Sequence, residues 1–323
     1  MRLYLIVLIA LLLAEVDGNA QDSVRKPNEL SAFRYISHDY DNDVFTNTDI
    51  YYTQGIRYEL VFPALRKNPL SHALLGFRKN SVRHYGITLD QKCYTPTHLR
   101  SDSILHGDRP YASVLFAGAF LTSNDEANKQ RLKSELDLGV TGHCALCDDE
   151  QKAIHRVLVD PIPQGWGYQI GQDVVINYSL TYDKGIINAK YVNFILEGKA
   201  EAGTLNDEVT AAGLFRLGKM YSYFSAIRAG ENAEAKKFSF YGFARAWVEG
   251  VGYNATLQGG VFDQGSVYTI PNRDVERLVY GYQYGLIFSY KKLGLEYSLI
   301  HITPEFRTGM MHAWGKINIT VAF

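Results

Sequence analysis

The 323-residue chain carries 33 Lys and Arg against 34 Asp and Glu, a balance that excludes a dedicated nucleic-acid binder, which needs a basic surface. Hydrophobic residues make up 46% of it, yet after residue 20 no apolar run is long enough to cross a bilayer as a helix. Either two soluble domains or one large barrel fits that length.

In chain order, the first element is a leader. Arg2, the apolar run Leu3 to Leu13, and the small residues Gly18 and Ala20 predict a secretory signal peptide over 1–20, with 21–323 as one exported domain. Next comes DNDVFTNTDIYYTQG, Asp41 to Gly55, which runs straight into the strand-like IRYELVF. Asn42, Asp43 and Thr53 offer amide, carboxylate and hydroxyl oxygens, the donors a Ca²⁺ ion prefers. The spacing is not that of an EF-hand loop, and D-N-D is also ordinary turn chemistry.

KSELDLGV then alternates, with Leu136, Leu138 and Val140 against Lys133, Glu135 and Asp137. Cys144 and Cys147 form a C-x-x-C while Cys93 stands alone; in an exported chain this predicts a local Cys144–Cys147 disulfide. Zinc is the weaker reading, because it needs more ligands than this pair, although His143 and His155 lie near it in sequence. CDDEQKAIHRVLVDP, Cys147 to Pro161, predicts a short helix with acids at its positive end and Pro161 just past its stop. Ile154, Val157 and Leu158 make an apolar stripe, and Gln151 and His155, four apart, share a face.

The remaining segments are strand-like. In YVNFILEGKAEAG, Val192, Phe194 and Leu196 oppose Asn193, Glu197, Lys199 and Glu201. YGYQYGLIFSY sets Tyr280, Tyr282, Tyr284, Leu286, Phe288 and Tyr290 on one face; after a turn at Lys291-Lys292, LGLEYSL repeats the pattern. GKINITVAF closes the chain in the same alternation and ends on Phe323. A soluble sandwich would turn the apolar face inward, whereas a transmembrane barrel turns it to lipid. The abundant aromatics, clustered near strand ends, the spanning length of the segments and the terminal Phe favour the barrel. The expectation is an all-β, transmembrane antiparallel β-barrel with the helix in a loop, over one end or against the wall.

His155 is the candidate general base, since a neutral imidazole accepts a proton from water near pH 7. No G-x-S-x-G or H-E-x-x-H is present. Several motifs then occur in one order: Asn42-Asp43, Y-T-x-G (Tyr52 to Gly55), YTP (Tyr94 to Pro96), GDR (Gly107 to Arg109), Gln151 with His155-Arg156, G-W-x-x-Q (Gly165 to Gln169), TLQG (Thr256 to Gly259) and EFRTG (Glu305 to Gly309). In that order they resemble the lipid A 3′-O-deacylase family of Gram-negative outer membranes. The resemblance implies a barrel of about 12 strands with a loop helix near the outer rim. It implies a Ca²⁺-dependent esterase that removes the 3′-linked acyl or acyloxyacyl chain of lipid A, with His155, Asn42, Asp43 and Thr53 in the active site and Asp43 at the metal. Gln151, Arg109 and Trp166 are candidate substrate contacts, and Arg100 is the nearest cation after YTP for a phosphate. The expected setting is the bacterial outer membrane, with lipopolysaccharide and membrane lipids as partners, no nucleic acid, and a monomer. The segment TGHCALC departs from the family's Gly-Pro-containing stretch before the helix. The competing readings are a non-catalytic barrel or pore and an outer-membrane phospholipase.

Overall fold

The computed structural model describes residues 29–46, 48, 50–158, 161–225 and 238–323; the expected leader, 1–20, lies outside the described residues. The strands are β1 Glu29–Leu30, β2 Tyr35–Asn42, β3 Tyr51–Val61, β4 Val82–Thr95, β5 Ala112–Asp125, β6 Gln130–Thr141, β7 Val174–Asn188, β8 Val192–Gly203, β9 Asn206–Lys219, β10 Phe238–Asn254, β11 Leu278–Tyr290, β12 Leu293–Ile302 and β13 His312–Ala322. From β2 to β13 each pairs antiparallel with the next, and β13 returns to β2, so twelve strands close a barrel with no free edge. The short β1 adds in parallel to the start of β4.

Residues on β11 show why alternation produces this shape. Tyr280, Tyr282, Tyr284, Leu286, Phe288 and Tyr290 all face outward and are exposed, while Gly281 and Ser289 between them are buried. An exposed apolar row of this kind is stable only against lipid, so the barrel rather than the sandwich is formed. The inward positions are charged, and they pair across the lumen. Arg57 on β3 donates to Asp90 on β4 at 2.9 Å and to Glu135 on β6 at 2.6 Å, and Lys133 meets Glu135 at 2.9 Å. Arg245 on β10 pairs with Glu197 on β8, and Lys199 bridges to Glu208 at 3.1 Å. Bonds between non-adjacent strands occupy the space that an open pore would need.

The two ends differ. One has the short turns 126–129, 189–191 and 291–292, and the other carries the longer connections 96–111, 142–173, 255–277 and 303–311. Short turns mark the periplasmic end of such barrels and long loops the outer end. The predicted helix is α1, Cys147–Leu158, inside the 142–173 loop. Its acids fall in the first turn, and Lys152 pairs with Asp148 four residues back at 2.6 Å. The expected apolar stripe is not what it buries. Val157 is 82% exposed, whereas Gln151 and His155 are buried, because the face turned inward meets a polar, hydrogen-bonding segment.

Candidate active site

The position of α1 follows from which strand residues point outward. Exposed Ile36, Tyr58 and Leu89 fix the outer faces of β2, β3 and β4. With a period of two, Asn42, Gln54 and Cys93 lie on those same faces. They also form one row, since Asn42 pairs with Gln54 and Gln54 with Cys93. The loop helix is tied to this row twice. Cys147, its first residue, is disulfide-bonded to Cys93, and the Glu150 carboxylate accepts a 2.7 Å hydrogen bond from the Gln54 amide. Gln91, two residues before Cys93 on the same face, donates to the Ala145 carbonyl at 2.7 Å. The helix therefore lies against the outer wall at the outer rim, not over the lumen.

This corrects the expected Cys144–Cys147 pairing. Cys144 is free and exposed in the turn before α1. Strand register, which a local C-x-x-C pattern does not encode, brings Cys93 to the helix start with its Cα 5.7 Å from that of Cys147. Beneath the bridge, Leu99, Tyr111 and Trp166 pack with the two half-cystines into an apolar cluster between helix and wall.

At the outer end of β2 and β3, the structure brings Asn42, Asp43 and Thr53 together. Asp43 and Thr53 are each one residue outward of the Asn42–Gln54 pair. Thr53 is the inserted residue of a β-bulge, since Tyr52 faces Tyr94 while Gln54 already faces Cys93. The Asn42 amide donates to the Tyr40 hydroxyl at 3.1 Å, and its carbonyl oxygen accepts the Val44 N–H at 2.8 Å. Asp43 is 1% exposed, and its carboxylate accepts the Ile50 N–H at 2.8 Å. The turn Asp43–Thr46 folds back across β13, where a Cβ on Gly315 would stand 2.5 Å from the Phe45 Cβ; only glycine leaves that room.

His155 and Gln151 form a second group, facing residues 161–166. Nδ1 of His155 lies 2.7 Å from the Pro161 carbonyl. A carbonyl oxygen only accepts, so the neutral ring carries its proton on Nδ1 and presents the lone pair at Nε2. The Gln151 carbonyl oxygen accepts the Trp166 indole N–H at 2.8 Å, while its Nε2 is buried with no partner among the described residues. Trp166 is fully buried in the apolar cluster. The link between the two groups is α1 itself, with Glu150 at one and His155 a little over a turn further on.

Arg109 stands elsewhere. Its guanidinium pairs with Glu305, donates to Thr256 at 2.8 Å and stacks 4.2 Å over the Tyr94 ring, in a buried network that joins three of the long loops. This explains why GDR, TLQG and EFRTG occur together: each supplies one member. Arg100 is exposed on the 96–111 loop. Sequence reasoning missed Gln54 and Glu150, whose contact is visible only once register and helix position are known.

For a hard cation the donor types fit in kind: the ends of β2 and β3 carry a carboxylate, an amide and a hydroxyl on Asp43, Asn42 and Thr53. In number they are short, because among the described residues no three His, Cys, Asp or Glu side chains form a metal-binding cluster. A Ca²⁺ ion takes six to eight oxygens, so backbone carbonyls, water or phosphate would have to complete the shell.

No curated protein matches the sequence. Among solved structures the fold is similar to LpxR from Salmonella typhimurium, with a TM-score of 0.72 and 21% identity over 90% of this chain and 100% of that one. More distant are the beta domain of the Bordetella autotransporter BrkA (TM-score 0.47, 10% identity, 91% of this chain and 100% of that one) and the KdgM porin (0.37, 6%, 90% and 99%). Residues 4–323 match the family described as outer membrane protein LpxR. The chain belongs to this family of outer-membrane barrels, the lipid A deacylases that its ordered motifs resemble.

Proposed function

We propose that this protein hydrolyses the 3′-linked acyl or acyloxyacyl ester of lipid A, with His155 as the general base. The observation that carries the reading is the side of the wall on which the helix sits. A site at the outer rim, between α1 and the outward faces of β2–β4, opens toward the bilayer, whereas a site for a soluble substrate would open to the lumen or the loops. The lumen itself is crossed by ion pairs, which speaks against the pore reading.

In this reading, Nε2 of His155 takes a proton from a water molecule as that water attacks the ester carbonyl; the Nδ1–H bond to Pro161 holds the ring in the required tautomer and stabilises the imidazolium that forms. The buried amide N–H₂ of Gln151, on the same helical face, donates toward the developing oxyanion. Asn42 and Thr53 orient the substrate, and Asp43 would hold Ca²⁺. When bound, that ion supplies positive charge to the oxyanion and to the substrate's phosphates. The proton gained by His155 then passes to the departing sugar oxygen.

The test is expression in a Gram-negative host followed by mass spectrometry of extracted lipid A. Wild-type protein is expected to remove the 3′ acyl mass, and His155→Ala to leave lipid A intact. Unchanged lipid A with the wild type, or full loss with His155→Ala, overturns the reading. Radiolabelled phospholipid in the same membranes distinguishes a phospholipase.

A further inference from the structure

Two connections at the short-turn end are long, 62–81 between β3 and β4 and 220–237 between β9 and β10, where a few residues would be enough; the first is described throughout. This first arm folds into two 3₁₀ turns, Pro63–Lys67 and Pro69–Ala73, and it does not hang free. Leu74 is buried against Tyr85, Ala119 and Leu121, with Leu65 and Leu70 packed alongside. Those wall residues have the same parity as exposed Ile87 on β4 and Leu138 on β6, so they belong to the lipid-facing surface. The buried Ser134 hydroxyl donates to the Leu75 carbonyl at 2.8 Å. The Tyr178 hydroxyl donates to the Ala73 carbonyl at 3.1 Å and accepts the Leu75 N–H at 3.2 Å. The arm is thus strapped to the outside of β4–β7, at the periplasmic end of the wall.

Its other side is basic. Arg66, Lys67, Arg78 and Lys79 are all exposed, no Asp or Glu occurs anywhere from 62 to 83, and none of the four cations forms an ion pair among the described residues. A cation held against a lipid-facing wall cannot stay in hydrocarbon and reaches for the interface. The same rim shows this elsewhere, with Arg34 4.5 Å over the Phe62 ring, Lys219 4.0 Å over Phe238 and Lys291 5.1 Å over Tyr290. These are amphipathic pairs of the kind that sit at headgroup level.

We propose that the 63–80 arm is an interfacial site for the headgroups of anionic phospholipids in the periplasmic leaflet, with Arg66, Lys67, Arg78 and Lys79 contacting their phosphates. It lies at the opposite end of the barrel from the candidate active site and does not depend on that reading. Clustered cations beside a membrane surface each gain roughly a fivefold preference for anionic lipid, and two pairs brought onto one strapped arm give a localised site rather than a diffuse field.

The experiment reconstitutes the full-length protein in phosphatidylethanolamine vesicles containing phosphatidylglycerol, and reads the relative association of spin-labelled phosphatidylglycerol and phosphatidylcholine. Wild-type protein is expected to favour the anionic label, and the preference to fall at least about fivefold in R66Q/K67Q/R78Q/K79Q. The charge-keeping variant R66K/R78K is expected to retain it. Insertion is checked by resistance of the unheated barrel to dodecyl sulfate; should the quadruple variant fail that check, the pairs R66Q/K67Q and R78Q/K79Q are read separately. An unchanged preference in inserted variants overturns the proposal. Loss of the wild-type preference on adding millimolar inorganic phosphate at constant ionic strength overturns it too, since the site would then be one for free phosphate.

Discussion

Removing the Glu150 carboxylate should loosen α1 without disturbing the barrel. The Gln54–Glu150 bond, 2.7 Å long, joins a buried amide on β3 to an ionised carboxylate on the helix. A hydrogen bond to a charged group is worth about 1.5–3 kcal/mol, and the Gln54 amide left behind would be buried and unsatisfied. Converted to an equilibrium, that is an increase of about 10- to 150-fold in the fraction of time α1 spends lifted from the wall. The strands are untouched, and the Cys93–Cys147 bridge still tethers the helix start. Amide hydrogen exchange read by mass spectrometry on peptides covering 147–158 should therefore speed up by that factor in Glu150→Ala, while peptides from β11 and β12 exchange as before. Glu150→Gln keeps an acceptor oxygen and should lie between. The exchanged pair Q54E/E150Q, with donor and acceptor reversed, should recover protection. Wild-type exchange of α1 in Glu150→Ala would refute the docking argument whether or not the protein is an esterase.

Three other perturbations probe different parts. Reduction of Cys93–Cys147, or Cys93→Ser, should leave a folded, dodecyl sulfate-resistant barrel but make residues 147–158 susceptible to protease and strongly lower deacylation, because the helix carrying His155 then loses its covalent tie to the wall and keeps only hydrogen bonds and packing. Arg109→Ala should destabilise the outer-end loops by about 3 kcal/mol, since it strands Glu305 and Thr256 in a buried network; urea titration of loop fluorescence measures it. Gly315→Ala should displace the Asp43–Thr46 turn, where its new Cβ meets Phe45, and reduce kcat far more than thermal stability.

Much of the architecture was legible in the residues. The Tyr280-to-Tyr290 row and the alternation in 133–140 and 315–323 announce strands with one lipid-facing side, and the structure closes them into twelve. The helix start at Cys147, His155 with Gln151 on one face, and the junction of Asn42, Asp43 and Thr53 were also readable, because each is a local pattern. What escaped depends on register. Which residue sits beside Cys93 or Gln54 is fixed by the Asn42–Gln54–Cys93 row, and no window of adjacent residues contains that row. For the same reason the local C-x-x-C points to Cys144 rather than Cys93 as the partner of Cys147, and nothing near Arg109 in sequence announces Glu305 and Thr256, nearly two hundred and one hundred and fifty positions away, as its partners. The arm at 62–81 carries no motif, and its meaning appears only when its leucines are found on the outside of the wall.

The most direct test of the account is a hydrolysis with purified protein and lipid A in ¹⁸O-labelled water. The account predicts that the released fatty acid carries one ¹⁸O in its carboxylate, that the sugar hydroxyl carries none, and that His155→Ala releases no acid. An unlabelled acyl chain transferred to another lipid, or undiminished release by His155→Ala, would contradict it.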